Sequence, residues 1–340
     1  MKTKQNEKQY GIFVVAKFLL FVTILLFIFE TKALKAETLE PYALVTVSVA
    51  NMRCQPAYSA EMATQCLLGS PLRVIGEKKG WYRVLTTDDY DCWVHRGSLT
   101  LLSRNDFNEW IKSPKIIYLQ DNGFVLSQPE PNASRVSDLV SGCVFQNKET
   151  VGNFVAVYFP DGRSGYVLKT GCRDFEEWKQ NVQLSGKNLI DKSLDLMGVP
   201  YLWGGTSSKM LDCSGMTKLC FFLNGVIIPR NASSQAEVGE QIDITKNFSN
   251  LQQGDLLFFG TPATTKKQAH ISHVGLYMGN GLVIHAAGRV HINSLESDSK
   301  LYDQSLANRL ITVKRLTTKI GKRGIIPVNI HPLYCLQDNE

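Results

Sequence analysis

The sequence predicts a multidomain protein in which two small all-β barrels are followed by an α+β domain. Two observations support this fold class. Residues 44–103 contain short β-branched and aromatic runs broken by turn residues, and the next segment repeats them at a constant offset of 73 positions. Beyond residue 184 the pattern changes to an amphipathic helix followed by further helical turns and a group of apolar strands. The length of 340 residues and the apolar content of 44% suit two or three globular domains.

The first 36 residues form a separate segment with the layout of a secretory signal. Three lysines within the first eight residues precede an apolar run over residues 18–29, and small residues follow at Ala33 and Ala36. This pattern favours export to the periplasm or the cell envelope, with cleavage after Ala33 or Ala36. The alternative is an uncleaved membrane anchor, because the apolar stretch over residues 12–29 nearly spans a bilayer.

The net charge does not point to a nucleic-acid partner. The whole chain carries a formal charge of +6, but residues 1–36 hold six lysines and two glutamates, so only +2 remains for a mature chain. We therefore expect no nucleic acid, and contact with a membrane only through the N-terminal segment if it is retained.

Residues 37–104 and 115–178 are predicted to be two copies of one barrel. An ungapped shift of 73 positions places turn glycines on turn glycines and aromatic core positions on aromatic core positions. Each copy has the length of a barrel of about five strands. Residues 104–114 connect the copies, and Pro114 starts the second one. The matched pairs include Pro56 with Pro129, Gly69 with Gly142, Trp81 with Phe154, and Trp93 with Tyr166.

Residues 185–317 are predicted to form the α+β domain. Apolar residues at helical spacing over residues 189–197 indicate a helix that stops at Gly198 and Pro200. Later apolar runs predict the strands of an antiparallel sheet; they read "LLFFG", "HVGLYM", "LVIHAA" and "RLITVKRL". Residues 318–340 form a tail without a predicted structure.

Cys213 lies where a helix is expected to begin. Small polar residues and two glycines precede it, as in a loop, and apolar residues at helical spacing follow until Asn224 and Gly225. Asp212 is a favourable N-cap residue, so Cys213 should be the first helical residue. The free N–H groups of a helix N-terminus stabilise a thiolate, which is the nucleophilic form of cysteine. A cysteine that merely packs in the core is the alternative at this point.

His273 and His285 lie on two neighbouring runs that the sequence pattern joins into a hairpin. With a three-residue loop over residues 279–281, Gly275 faces His285 and His273 is its diagonal neighbour on the same face. A two-residue loop would put the two rings on opposite faces. We predict the first arrangement, in which His285 holds the ring of His273 in the tautomer that a general base needs.

The remaining cysteines and histidines do not predict a metal site. Seven cysteines besides Cys213 show no Cys-x-x-Cys spacing, and we interpret most of them as buried thiols or as members of one or two undetermined disulfides. His270 and His273 form a His-x-x-His pair, but no third ligand accompanies them. We therefore expect neither a metal nor another cofactor.

Five motifs resemble, in order and spacing, the NlpC family of papain-like cysteine peptidases. They are "PYLWGGTS" with "DCSGM", "IPRNASSQ", "GDLLFF", "HVGLYMGNG" and "IHAAG", and the resemblance covers residues 185–317. Upstream, "VANMRCQP", "GWYRVL" and "DCWVHRGSL" resemble the bacterial SH3-like domain found beside cell-wall hydrolases, and the second copy is a more divergent example. The resemblance implies two SH3-like barrels followed by a papain-like α+β domain.

The same resemblance implies a peptidoglycan peptidase. Members of the family cleave stem peptides, commonly between D-γ-glutamate and an L-diamino acid such as meso-diaminopimelate. By this likeness Cys213 is the nucleophile, His273 is the base and His285 is the orienting third residue. Tyr201 borders the nucleophile and helps to form the substrate or oxyanion pocket. The expected partner is peptidoglycan or its stem-peptide fragments, either as intact wall or as a recycled product.

Members of the family that carry SH3-like barrels favour short peptides with a free N-terminal L-Ala, because a barrel wall closes the cleft. Asp212 and Ser214 occupy motif positions suited to holding the ammonium group of that residue. Glu61 and Tyr90 match segments of the barrel that face the cleft and are candidates for the same subsite; a solvated carboxylate is the alternative for Glu61. Ser233 is a candidate substrate contact, with bracing of its loop as the alternative.

Two other functions are consistent with the same motifs. One is a non-catalytic wall-binding protein in which the peptidase fold is a relic, although the combined presence of Cys213, His273, His285 and Tyr201 argues against it. The other is an amidase or an acyltransferase on the same fold, because such an enzyme would use the same nucleophile. The substrate distinguishes the peptidase from these two alternatives. The sequence does not indicate an oligomeric state.

Overall fold

The computed structural model describes residues 41–336 except residues 246 and 266, and the structural statements below concern those residues. The predicted signal or anchor over residues 1–36 lies outside them. Within the described part, no helix combines the length and the apolar character needed to cross a membrane. All eight cysteines of the chain are described and all are free thiols, so the disulfides that the sequence left open do not form.

An N-terminal β domain is built from a seven-stranded antiparallel sheet. Its strands are β1 (Tyr42–Val45), β2 (Val49–Arg53), β3 (Met62–Leu67), β4 (Pro71–Lys78), β5 (Trp81–Leu85), β6 (Asp91–His95) and β7 (Leu99–Leu102). They lie in the order β3-β2-β6-β5-β4-β1-β7. Apolar side chains such as Met52, Leu72 and Val84 point to one face and form a core of their own, as the sequence pattern predicts.

A middle β domain repeats this arrangement. Its strands are β8 (Lys115–Tyr118), β9 (Gly123–Leu126), β10 (Arg135–Leu139), β11 (Val144–Val151), β12 (Phe154–Tyr158), β13 (Ser164–Leu168) and β14 (Cys172–Asp174). Their order is β10-β9-β13-β12-β11-β8-β14, which is the order of the first sheet with each strand number raised by seven. The register repeats as well, because Tyr42 lies opposite Arg73 and, 73 positions later, Lys115 lies opposite Gln146. The repeat in the sequence is therefore a repeat in the structure.

Short helices follow each of these sheets. A 3-10 turn precedes the last strand in both (Arg96–Ser98 and Lys169–Gly171), and the helices α1 (Arg104–Lys112) and α2 (Phe175–Asn181) come after it. The connector that the sequence placed over residues 104–114 is thus mostly helical. Its helix begins at Arg104 and is capped by Ser103, whose hydroxyl oxygen accepts a hydrogen bond from the backbone N–H of Asp106.

The C-terminal domain packs helices against a six-stranded antiparallel sheet. The elements are α3 (Gly186–Asp195), β15 (Thr206–Ser207), β16 (Met210–Leu211), α4 (Cys213–Leu223), β17 (Val226–Ile227), α5 (Ala232–Gln235), β18 (Glu240–Ile242), β19 (Leu256–Thr261), β20 (His270–Gly279), β21 (Leu282–Ala287), β22 (Arg289–Ser294), α6 (Gln304–Ala307) and β23 (Leu310–Arg315).

The strands of this sheet lie in the order β18-β23-β19-β20-β21-β22. Side chains of the sheet, such as Phe258 and Leu276, share one core with Met216 and Leu219 of the central helix α4. The sequence predicted the inner strands but missed the outer strands β18 and β22, because an edge strand is only partly covered and its apolar pattern is weak.

The tail after residue 318, for which the sequence predicted no structure, is folded onto the rest of the chain. Its strand β24 (Ile326–Pro327) pairs with β17, and a 3-10 turn follows (Val328–Ile330). Tyr334 is 2% exposed, and its ring centroid lies 5.7 Å from that of Phe175 in α2. The tail thus closes a core between the helices α1 and α2 and the C-terminal domain.

Buried hydrogen bonds join strand β3 of the N-terminal β domain to the C-terminal domain. The backbone N–H of Thr206 donates to the side-chain oxygen of Gln65 at 3.0 Å, and the hydroxyl of Thr206 donates to the backbone carbonyl of Gln65 at 2.8 Å. The Nε of Arg230 donates to the hydroxyl oxygen of Thr64 at 2.9 Å. Because β3 starts directly after Glu61, these bonds hold Glu61 beside the C-terminal domain.

Candidate active site

The N-terminus of α4 presents Cys213 to the sheet. Asp212 caps this helix, because its Oδ1 accepts a hydrogen bond from the backbone N–H of Gly215 at 2.6 Å. Cys213 is therefore the first helical residue, as predicted, and it is 7% exposed. Gly215 lets the preceding loop pass close to the helix, since a Cβ at this position would lie 1.9 Å from the carbonyl oxygen of Gly205.

His273 and His285 lie on the same face of the hairpin formed by β20 and β21, as the sequence predicted. Leu276 pairs with Ile284, and this register puts His285 opposite Gly275 with His273 on the diagonal. The two rings are in contact, with centroids 4.9 Å apart.

The loop of this hairpin differs from the predicted one. Gly279 pairs with Leu282, so the connection is Asn280 and Gly281, whose φ angles are positive at 52° and 71°. Met278 is an extra residue in a bulge on β20. The prediction of a three-residue loop was wrong, but the predicted face was right, because the bulge supplies the same one-residue shift that the longer loop would have supplied.

The two imidazoles and an amide form a hydrogen-bonded chain. His273 Nε2 lies 2.8 Å from His285 Nδ1, and His285 Nε2 lies 2.8 Å from Oδ1 of Asn293 on β22. His285, in the middle of this chain, is 3% exposed, whereas His273 and Asn293 at its two ends are half-buried. The Nδ1 atom of His273 takes no part in it and remains for another partner.

The sulfur of Cys213 reaches the strand that carries His273. Burial, with the charge of Asp212 next in size, raises the pKa of the Cys213 thiol to about 11, while the nearby backbone N–H groups of Val274 and Ser214 lower it by a smaller amount. Burial also lowers the pKa of His273 to about 3. The Cys213 thiol and the His273 imidazole are therefore both uncharged at neutral pH.

We predict that the half-buried, neutral ring of His273 makes the fold sensitive to acid. Between pH 6.5 and about pH 3 the unfolded chain binds a proton at His273 that the native chain does not bind. The contribution of this residue to the free energy of unfolding is therefore fully present above pH 6.5 and is lost as the pH falls toward 3. Between pH 7 and pH 5, the His273→Gln variant should lose about 2 kcal/mol less unfolding free energy than the wild type, as measured by urea denaturation. The exposed His270→Gln is the control and should behave like the wild type. Equal acid sensitivity of His273→Gln and the wild type would contradict the prediction.

A cavity of about 330 Å³ opens at Cys213. The N-terminal β domain, the loop before α4, the segment around α5 and the start of β20 each supply part of its wall. Among the described residues, none of the middle β domain lines it. All six residues that the sequence assigned to substrate binding line this cavity, namely Glu61, Tyr90, Tyr201, Asp212, Ser214 and Ser233.

Tyr201 and Glu61 present polar groups to this cavity. Burial, with the charge of Cys213 next in size, raises the pKa of Tyr201 to about 12, so its hydroxyl stays a hydrogen-bond donor at neutral pH. Glu61 is exposed, and its Oε1 accepts a hydrogen bond from the indole N–H of Trp203 at 2.8 Å. The indole, which is 60% exposed, therefore orients the carboxylate at the mouth of the cavity.

Asp212 forms a buried ion pair with Arg230. Nη2 of Arg230 lies 2.5 Å from one carboxylate oxygen and Nη1 lies 3.1 Å from the other, while Gly204 and Gly215 donate backbone N–H groups to the same carboxylate. Nη1 of Arg230 also donates to the hydroxyl oxygen of Ser214 at 2.9 Å. These contacts give Arg230 a structural role, and they show that Asp212 shapes the site in addition to lining it.

The sequence analysis did not single out two residues of this site. Trp203 stands inside the motif "PYLWGG", so the motif itself was the available signal. Asn293 lies in no motif and reaches His285 only because β22 pairs with β21. The described residues contain no group of three or more His, Cys, Asp or Glu side chains arranged to hold a metal ion.

Comparisons with known proteins match both parts of this site. The NlpC/P60 family matches residues 198–310, and the bacterial dipeptidyl-peptidase SH3 domain matches residues 52–99. The chain is 30% identical over 289 residues to dipeptidyl-peptidase 6 of Lysinibacillus sphaericus, covering 81% of this chain and 99% of that protein. It is 26% identical over 235 residues to the γ-D-glutamyl-L-lysine dipeptidyl-peptidase of Bacillus cereus, covering 66% and 67% of the two chains.

A solved structure has a similar fold. The crystal structure of an NlpC/P60 family protein from Bacillus cereus superimposes with a TM-score of 0.68 at 21% identity, covering 81% of this chain and 99% of that one. At this identity the likeness concerns the fold alone.

Proposed function

Because this chain belongs to the NlpC/P60 family of cysteine peptidases, we propose that it hydrolyses peptidoglycan stem peptides between D-γ-glutamate and an L-diamino acid. The observation that carries this proposal is the cavity in which Cys213, next to the strand of His273, shares a wall with Glu61 and Tyr90 of the N-terminal β domain. The names of relatives from two Bacillus species specify a γ-D-glutamyl-L-lysine bond. For this chain we propose meso-diaminopimelate as the diamino acid and L-lysine as the alternative.

We further propose that three folded units carry this function. They are an SH3-like domain over residues 37–104, a second SH3-like domain over residues 115–178, and a papain-like α+β domain over residues 185–317. The common strand order of the two seven-stranded sheets supports the second SH3-like domain. Residues 1–36 would direct export to the periplasm or the cell envelope, where the substrate occurs.

The proposed reaction is acyl transfer to sulfur followed by hydrolysis. As the sulfur of Cys213 attacks the γ-amide carbonyl carbon, the thiol proton passes to Nδ1 of His273. The backbone N–H of Cys213 and the hydroxyl of Tyr201 donate hydrogen bonds to the oxyanion. His273 then protonates the departing amine, and water hydrolyses the thioester to release a peptide that ends in D-γ-glutamate.

One wall of the cavity favours a substrate with a free N-terminus. Glu61 and Tyr90 reach the cavity from the N-terminal β domain and combine a carboxylate with a phenol, which suits an ammonium group. We propose that these two residues, with Asp212 and Ser214, hold the N-terminal L-Ala, while Ser233 contacts the substrate at the rim. The same wall limits the length of peptide that can precede the scissile bond.

The Glu61→Gln variant should bind the substrate more weakly without losing its chemistry. Removing the negative charge but keeping a side chain of the same size should raise KM for L-Ala-γ-D-Glu-meso-diaminopimelate about tenfold, or about 1.4 kcal/mol, with kcat nearly unchanged. An N-acetylated peptide lacks the ammonium group, so the variant and the wild type should hydrolyse it equally. Glu77→Gln, on the same sheet but outside the cavity, is the control. An unchanged KM in Glu61→Gln would remove Glu61 from the subsite.

The function itself is tested by product analysis. Purified protein should release L-Ala-γ-D-Glu from L-Ala-γ-D-Glu-meso-diaminopimelate, as detected by mass spectrometry, and the L-lysine peptide measured in parallel determines the diamino acid preference. Binding to intact sacculi without any product from either peptide would indicate a wall-binding protein instead. Transfer of the acyl group to an added amine in preference to water would indicate a transferase.

A further inference from the structure

Asn293 is the last member of the hydrogen-bonded chain that begins at His273. It lies on β22, diagonal to His285, because His285 pairs with His291. It is not among the described residues that line the cavity. Any effect of Asn293 on the substrate must therefore pass through His285.

The orientation of the Asn293 amide follows from its two neighbours. Its Oδ1 lies 2.8 Å from Nε2 of His285, and its Nδ2 lies 3.5 Å from the backbone carbonyl oxygen of Leu301. Rotating the amide by half a turn would point Oδ1 at that carbonyl, so that two acceptors would face each other. The amide oxygen is therefore the atom that faces the imidazole.

This orientation determines where the protons lie on both rings. An amide oxygen only accepts hydrogen bonds, so Nε2 of His285 carries a proton. Burial lowers the pKa of His285 and keeps its ring neutral, so its Nδ1 is an acceptor. This Nδ1 accepts a hydrogen bond from the Nε2–H of His273 at 2.8 Å. Nδ1 of His273 is then left with a lone pair, which is the form that takes a proton from Cys213.

We propose that Asn293 is a positioning residue that sets the tautomer of His273 through His285. The catalytic consequence rests on the function proposed above. The proton positions do not, because they are a property of the free protein.

The first experiment measures the tautomers without any substrate. Nitrogen-15 spectra of the histidine-labelled full-length protein at pH 7 should show both His273 and His285 protonated at Nε2. Asn293→Leu removes the acceptor and should give His285 a mixture of tautomers, whereas Asn293→Asp keeps an acceptor oxygen and should preserve the wild-type pattern. A wild-type His273 protonated at Nδ1, or unchanged tautomers in Asn293→Leu, would overturn the proposal. The wild-type spectrum decides the matter even if Asn293→Leu fails to fold.

The second experiment measures hydrolysis of L-Ala-γ-D-Glu-meso-diaminopimelate. Asn293→Leu should lower kcat about tenfold with KM unchanged, and Asn293→Asp should stay within about threefold of the wild type at pH 7. The acid limb of the pH profile should move to higher pH in Asn293→Asp, because a carboxylate favours the protonated form of the His273–His285 pair. The other charged or titratable groups around this pair are the same in all variants; they are His291, Asp303 and Arg309. Equal kcat values for the two variants would overturn the positioning role. An inactive wild type with the expected tautomers would contradict the proposed function instead.

Discussion

Replacing Cys213 by alanine is expected to lower kcat for hydrolysis of L-Ala-γ-D-Glu-meso-diaminopimelate by at least about 10⁴-fold. Without the sulfur, no acyl-enzyme forms, and neither the base nor the oxyanion donors can replace the missing bond. The loss should appear in kcat and not in KM, because Cys213 is only 7% exposed and offers the bound substrate little contact surface. The measurement is single-turnover release of L-Ala-γ-D-Glu, followed by mass spectrometry.

Cys220 provides a matched control for this substitution. It lies on the same helix and is 0% exposed, and it belongs to the apolar core. Cys220→Ala should keep the wild-type kcat and lose about 1 kcal/mol of unfolding free energy, because it leaves a small cavity in the core. The opposite pattern, in which Cys213→Ala turns over the peptide and Cys220→Ala does not, would remove Cys213 from the reaction.

The largest effect on stability is expected for Arg230→Met. Arg230 is 3% exposed, and its guanidinium neutralises Asp212, which is 6% exposed. Removing it leaves an uncompensated buried carboxylate and breaks the bond to Thr64 in the N-terminal β domain, so the unfolding free energy should fall by about 3–5 kcal/mol. Guanidinium denaturation of the full chain measures this change.

Two further variants separate the ion pair from general damage. Arg73→Met breaks the exposed pair with Asp89 and should cost less than about 1 kcal/mol. The double variant Asp212→Asn with Arg230→Met removes the unpaired charge while keeping a side chain that caps α4, and it should recover much of the stability. A loss in Arg230→Met as small as that in Arg73→Met would mean that the buried pair does not hold the site together.

Short stretches of sequence predicted several features of the site. Asp212 before Cys213 predicted the helix start, and Gly279 to Gly281 predicted the hairpin that carries both histidines. The loop prediction failed by one residue because a bulge at Met278 and a longer loop have the same effect on register. The face was still correct, since alternation along both strands survives the exchange.

Other features had no local signal. The ordered tail over residues 318–336 has no periodic pattern of its own. Its Tyr334 is buried by helices that lie more than 100 residues earlier in the chain, so the local sequence could not predict that the tail is folded. Asn293 is one polar residue on an edge strand, and such residues usually face solvent. Its contact with His285 depends on the pairing of β22 with β21, which no motif encodes.

The sequence by itself determined the repeat of two β domains, the helix that starts at Cys213 and the pair of histidines on one hairpin. The helix start and the hairpin follow from a cap residue, turn residues and the alternation of side chains along strands, which act between residues a few positions apart. The repeat follows from a constant offset of 73 positions in the sequence. Only the tertiary structure decided that Glu61 shares a cavity with Cys213, that Arg230 neutralises Asp212, and that Asn293 ends the imidazole chain. These contacts join residues far apart in sequence, and the packing of whole domains and the pairing of strands bring them together.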